Sequence, residues 1–213
     1  MTVHPGESPT PRGAVWAWGS AGVMWALVWF HGTQTHGVTA ENEMRLWLGS
    51  TWMDSSKLLF LSFAAVAVGL YLLGQDARIG RVARWLWVLL LLVIAVQAVA
   101  VLVGYLPFPW GSYELTFEEL EESDRYPAVV SKGGIAQAIG SLIGTLLLVP
   151  VGIAMARAGR VPWWAVPAAV IGMLFTFFTT PASWIPAVGW FLVSAGVALK
   201  RRSARDRRQT ESV

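Results

Sequence analysis

The sequence predicts an all-α, polytopic membrane protein: a bundle of six transmembrane helices, with one short amphipathic helix in the outer loop between spans 3 and 4. Three observations predict it. Of 213 residues, 55% are hydrophobic and only 14% are charged, which is too apolar for an ordinary soluble domain. The apolar residues gather into six runs, and about 20 mostly apolar residues cross a hydrocarbon core roughly 30 Å thick. The 16 Lys and Arg residues concentrate in alternate connections between those runs. The 13 tryptophans lie mostly near the run edges, where an indole buries its body and keeps its N–H in the headgroup layer.

A tail of residues 1–13 precedes a single transmembrane domain, 14–199, and a basic tail of residues 200–213 follows it. In the first run, 14–30, Trp18, Gly22, Trp25 and Trp29 share a stripe about 60° wide at 100° per residue. Such a ridge reads as a packing surface, and the deep Trp25 needs a partner for its N–H. An alternative takes Arg12, the apolar stretch 21–30 and residues 38–40 as a cleavable signal segment. Gly19 and Ser20 interrupt that apolar run, and the stretch 31–40 is long for a cleavage region, so a retained span is preferred.

The second to fourth runs are 57–74, 85–106 and 134–156, the last two long enough to tilt. In the fourth, Gly133, Gln137, Ser141 and Gly144 fall on one face, and Gly140 with Gly144 forms a GxxxG. Small residues let helices approach closely in lipid, and packing within the chain is preferred here to a dimer face. The fifth and sixth runs, 162–178 and 184–199, flank the Pro-containing turn 179–183. One unbroken helix over 162–199 would be about 57 Å long, nearly twice the core, so two spans are expected. Pro150, Pro167 and Pro186 each stand a few residues inside a span end. They are expected to free backbone carbonyls and shape packing, and a paired kink at Pro150 and Pro167 is the alternative route to a cytoplasmic cavity.

With both termini cytoplasmic, the inner segments hold twelve basic residues: Arg12, Arg78, Arg81, Arg84, Arg157, Arg160, Lys200, Arg201, Arg202, Arg205, Arg207 and Arg208. The outer segments hold four, Arg45, Lys57, Arg125 and Lys132. Acidic residues divide the other way, four inside and nine outside, which gives +8 inside and −5 outside. Cationic loops are retained in the cytoplasm, so the expected location is the plasma membrane of a cell, multi-pass, with both ends inside. The expected partners are membrane lipids. The basic tail is read as a clamp on anionic inner-leaflet lipid, each cation contributing about 1 kcal/mol. A membrane-protein partner fits the same reading; a nucleic-acid role does not, because the formal +3 charge is not gathered on a solvated domain face.

Polar groups inside spans are costly and mark function or helix locking. The interior candidates are Gln97, Gln137 and Thr145, and no ionisable group stands in the middle of a span. That pattern argues against a proton- or sodium-coupled pump. Counted at 1.5 Å per residue from Arg84 and Arg157, Gln97 lies about 20 Å deep, Thr145 about 18 Å and Gln137 about 30 Å. A Gln97–Thr145 hydrogen bond is therefore expected, and a direct Gln97–Gln137 bond disfavoured.

Outside the bilayer, His31, His36, Glu41 and Asp54 are residue types that ligate zinc or serve as acid and base. Their spacing, with H-x4-H in a Gly/Thr loop, matches no metal signature, so a helix exit is the preferred reading and no cofactor is expected. Residues 113–124, YELTFEELEESD, read as the short amphipathic helix: Thr116 and Glu119 fit a capping box, and Tyr113, Phe117 and Leu120 form an apolar stripe. It would lie as a lid across the bundle mouth or rest at the interface, and its carboxylates lack a calcium-loop pattern. Zero cysteines remove disulfides, thiolate metal sites and Fe–S clusters. No Walker loop, G-x-G-x-x-G or G-x-S-x-G is present. The expected function is that of a non-catalytic accessory or structural membrane protein. A carrier or channel for an uncharged or lipid-like solute is the alternative, and an outward-facing metal-dependent enzyme the second. A carrier predicts a cavity reaching Gln97 or Trp25; an accessory protein predicts a closed bundle with an exposed small-residue face.

Overall fold

The computed structural model describes residues 11–33, 55–75, 77–105, 125–178 and 184–211, and every element in them is helical. The helices are α1 (Arg12–Thr33), α2 (Ser55–Gly74), α3 (Arg81–Tyr105), α4 (Arg125–Arg157), α5 (Ala165–Phe178) and α6 (Ile185–Glu211). Each packs along its neighbours in the chain, and α6 returns to α1, closing a six-membered ring.

Inter-helix contacts fix the direction of every helix. Ser194 Oγ donates to the Val15 carbonyl while Trp18 meets Trp190, so α1 and α6 run antiparallel. Gly13 faces Leu72, Trp18 lies against Gly69, and Ser62 Oγ donates to the Ala21 carbonyl, so α1 and α2 also run antiparallel. Trp87 Nε1 donates to the Leu70 carbonyl at 2.9 Å across α2 and α3. The result is an up-and-down bundle in which the α2–α3 and α4–α5 connections, the start of α1 and the end of α6 share one end. All twelve basic residues of the expected inner segments lie at that end.

Four helices, α1 to α4, are long and apolar enough to cross a membrane. Helix α5 has 14 residues, about 21 Å, and the apolar part of α6 is of similar length before its basic continuation. The outer surface is aliphatic along the ring: Leu92, Val96, Ile139, Leu146 and Ile171 are exposed. An apolar surface of this kind suits lipid and would aggregate in water. The core holds Trp18, Trp25, Trp190, Phe63, Leu90, Ile94 and Met173, all under 2% exposed.

Helix ends differ from the sequence expectation where local chemistry overrides hydropathy. Helix α3 starts at Arg81, one turn before residue 85, and α4 starts at Arg125, nine residues before 134. Polar residues extend a helix once it has emerged from lipid, because its backbone bonds are internal. For the same reason α6 does not stop at residue 199 but carries the basic tail to Glu211 as helix. Helix α4 ends in a Schellman motif: Arg160 N donates to the Met155 carbonyl, Gly159 N to the Ala156 carbonyl, and Gly159 has φ of 72°. The turn that follows begins α5 at Ala165, three residues later than expected.

Two of the three prolines do not behave as expected. Pro167 and Pro186 stand in the first turns of α5 and α6, where the missing N–H has no intrahelical acceptor in any case, so neither forces a kink. Only Pro150 lies inside a helix, in α4. The paired-kink route to a cavity is therefore lost. The amphipathic segment 113–124 lies outside the described residues.

Candidate functional site

The interior polar side chains meet at one level of the bundle, where α3, α4 and α5 converge. Gln97 on α3 is 1% exposed. Its Nε2 donates to the Ser141 hydroxyl at 2.7 Å and to the Gln137 carbonyl at 3.1 Å, both on α4. Gln137 Nε2 donates in turn to the Thr176 carbonyl on α5 at 3.2 Å. The Thr176 hydroxyl stands 2.7 Å from Ser141 Oγ and 2.6 Å from the Met173 carbonyl. It has a single proton, so one assignment satisfies all three groups: Thr176 donates to Met173, and Ser141 donates to Thr176. Gln97 Oε1 is the one atom of this cluster left buried without a partner.

Gln97, Gln137 and Thr145 are all buried, but they are not wired as expected. Thr145 donates its proton to the Ser141 carbonyl of its own helix, and Gln97 reaches the level of Ser141 and Gln137. The depth count failed because it set Arg84 level with Arg157. Gly140 faces Gln97, and carried along the antiparallel pair that register sets Arg157 opposite Gly80, about one turn or 5.4 Å beyond Arg84. Shifting the count by that turn replaces Thr145 by Ser141. Thr176 was not singled out from the sequence; its signal is a lone hydroxyl within the apolar run LFTFF.

On α4 the GxxxG is used within the chain, as preferred from the sequence. A Cβ on Gly140 would press on Gln97, and one on Gly144 would collide with Met173. The small residues of this motif therefore admit neighbouring side chains instead of forming an exposed face.

The opposite wall, α1, α2 and α6, is aromatic. Trp18 and Trp190 lie 5.5 Å apart at 40°, and Trp25 meets Phe63 edge-on at 6.0 Å. Trp18 Nε1 and Trp190 Nε1 are buried with no hydrogen-bond partner. Hydroxyl-to-carbonyl bonds from Ser62 and Ser194 stitch α1 to its two neighbours.

The basic end carries two open grooves. One, about 570 Å³, lies between α1 and α6 and is lined by Arg12, Trp16, Arg201, Arg202 and Arg205 among others. The second, about 620 Å³, lies between α3 and α4, with Arg78 and Arg157 at its rim and Pro150 in its wall. Arg84 is engaged elsewhere: its Nη2 donates to the Ala77 carbonyl at 2.7 Å, and its guanidinium lies over Trp87. Exposed Trp16, Trp85, Trp163 and Trp164 ring this end.

Comparison with protein-family models, with curated proteins and with solved structures finds no match. The reading therefore rests on chemistry alone. His31 lies in α1, and His36, Glu41 and Asp54 lie outside the described residues. Among the described residues no group of three His, Asp or Glu side chains converges on a metal-sized site. The interior cluster holds only neutral amides and hydroxyls, which lock helices together and supply neither a proton donor nor a nucleophile with an adjacent base.

Proposed function

We propose that this chain is a non-catalytic, six-span protein of a cell's plasma membrane, serving other membrane components as an accessory or structural element. Both termini are cytoplasmic, and the short α5 and α6 cross as a tight hairpin. The charge asymmetry supports that orientation, since twelve basic residues share one end of the bundle. The observation that carries the non-catalytic reading is the closed interior: Ser141 and Thr176 are fully buried and Gln97 nearly so, each bonded to another helix. The exposed small-residue face expected of an accessory protein is not formed by Gly140 and Gly144, which face Gln97 and Met173, so the closed interior alone supports the reading.

The chain has no cysteine, so single-cysteine labelling reports one position at a time. Ser141→Cys is expected to resist a membrane-impermeant thiol reagent from both sides of a sealed vesicle. Labelling from either side would mean that water reaches the cluster, and would favour a carrier or channel. A basic tail held on anionic inner-leaflet lipid belongs to the same proposal. It predicts that the protein extracts with more acidic lipid when the tail is intact than when it is removed.

A further inference from the structure

The two grooves at the basic end are similar in volume but differ in charge. The α3–α4 groove has two guanidiniums, Arg78 and Arg157, over an otherwise apolar lining. The α1–α6 groove has four, Arg12, Arg201, Arg202 and Arg205, against the single carboxylate of Asp206. Arg201 and Arg205 are one turn apart and share a face of α6, and Arg12 faces them from the antiparallel α1. Guanidiniums thus enter one groove from two helices, and the groove also sits at the N-terminus of α1, where the helix dipole favours an anion.

We infer that the α1–α6 groove binds the headgroup of a phospholipid bearing two phosphates. The net +3 of its side chains exceeds what one phosphodiester neutralises, and each arginine fork matches a phosphate oxygen pair. The occupant is a lipid and not a free anion because the groove continues onto Val15, Trp16 and Ala198, an apolar flank for acyl chains. Trp16 is 75% exposed beside Arg12, which puts an amphipathic ring where headgroup meets chain. The inference rests on the membrane reading above and sharpens its lipid clamp into one site. It does not depend on which side of the membrane the basic end faces.

The test uses the full chain purified in a neutral detergent, with retained lipid counted by native mass spectrometry after titration with cardiolipin, phosphatidylglycerol or phosphatidylcholine. Cardiolipin is expected to bind about fivefold more tightly than phosphatidylglycerol, since it carries one more phosphate and each additional charge pairing at a membrane surface is worth about fivefold. Inorganic pyrophosphate should not displace it. The variant combining Arg12→Gln, Arg201→Gln and Arg205→Gln should bring the two anionic lipids to parity, while Arg78→Gln with Arg157→Gln keeps the preference. If the triple glutamine variant does not fold, the matching lysine variant decides: it retains charge, loses the fork, and should lose part of the preference. Equal binding of both anionic lipids by the unaltered chain, an equal loss in the α3–α4 variant, full displacement by pyrophosphate, or an unchanged preference in the lysine variant would each overturn the inference. A wrong membrane reading shows itself earlier and separately, as a chain that stays soluble without detergent.

Discussion

The two walls of this bundle solve one problem by different means. In lipid, apolar side chains gain nothing by leaving the solvent, so helices must be held by shape or by hydrogen bonds. The α1–α2–α6 wall uses shape, with Trp18, Trp25, Trp190 and Phe63 filling the interior and two indole N–H groups buried without partners. The α3–α4–α5 wall uses bonds, running from Gln97 through Ser141 to Thr176. The difference teaches that burial alone does not decide how a polar group is used: Gln97, Ser141, Gln137 and Thr176 each bond a neighbour, although Gln97 Oε1 is left over, whereas two indole N–H groups of the aromatic wall bond nothing.

The largest expected effect breaks the aromatic wall. Trp190→Ala removes an indole packed on Trp18 and should destabilise the folded bundle by about 3–5 kcal/mol, measured by reversible unfolding in mixed micelles. If it costs as little as a surface change, the wall is not packed as described. Second is the close crossing of α5 and α6. A Cβ on Gly189 would sit 2.9 Å from the Ala168 carbonyl oxygen and from Gly172 Cα. Gly189→Val should therefore cost about 1–3 kcal/mol by overpacking, and backbone cannot yield as a flexible side chain would.

The polar wall should respond less. Gln97→Leu removes two donated bonds but also the unpartnered Oε1, so a loss of about 0.6–1.7 kcal/mol is expected from the range for interhelical bonds in membranes. Ser141→Ala should cost a similar amount, and the two changes together less than their sum, because they share one bond. Full additivity would contradict the shared bond. Smallest of all, Trp16→Ala at the exposed rim should change unfolding by less than about 0.5 kcal/mol while weakening lipid retention.

Much of this arrangement is legible in the sequence because lipid imposes simple rules. Apolar runs of near-constant length give six helices, and the clustering of Arg gives the common end. The use of Gly140 and Gly144 within the chain follows from small residues beside bulky neighbours. What the sequence does not carry is relative height. Arg84 and Arg157 look like equivalent boundary markers, yet they differ by about one turn, and that turn exchanges Thr145 for Ser141 as the partner of Gln97. Nor does hydropathy distinguish a proline in a first turn from one that kinks a helix: Pro167 and Pro150 look alike until the helix starts are fixed. Thr176 is hidden for a third reason, since a single hydroxyl barely changes the hydropathy of an apolar run.

The threading of α5 and α6 is the claim on which the rest depends, because the bundle is a six-span ring in lipid only if these two short helices cross. Cysteine placed singly at residue 183, between α5 and α6, and at residue 203, in the basic tail, tests it directly in intact cells with an impermeant thiol reagent. Ser183→Cys should label from outside and Ser203→Cys only after the cells are opened. A Ser183→Cys site that never labels from outside, or a Ser203→Cys site that does, would contradict the account.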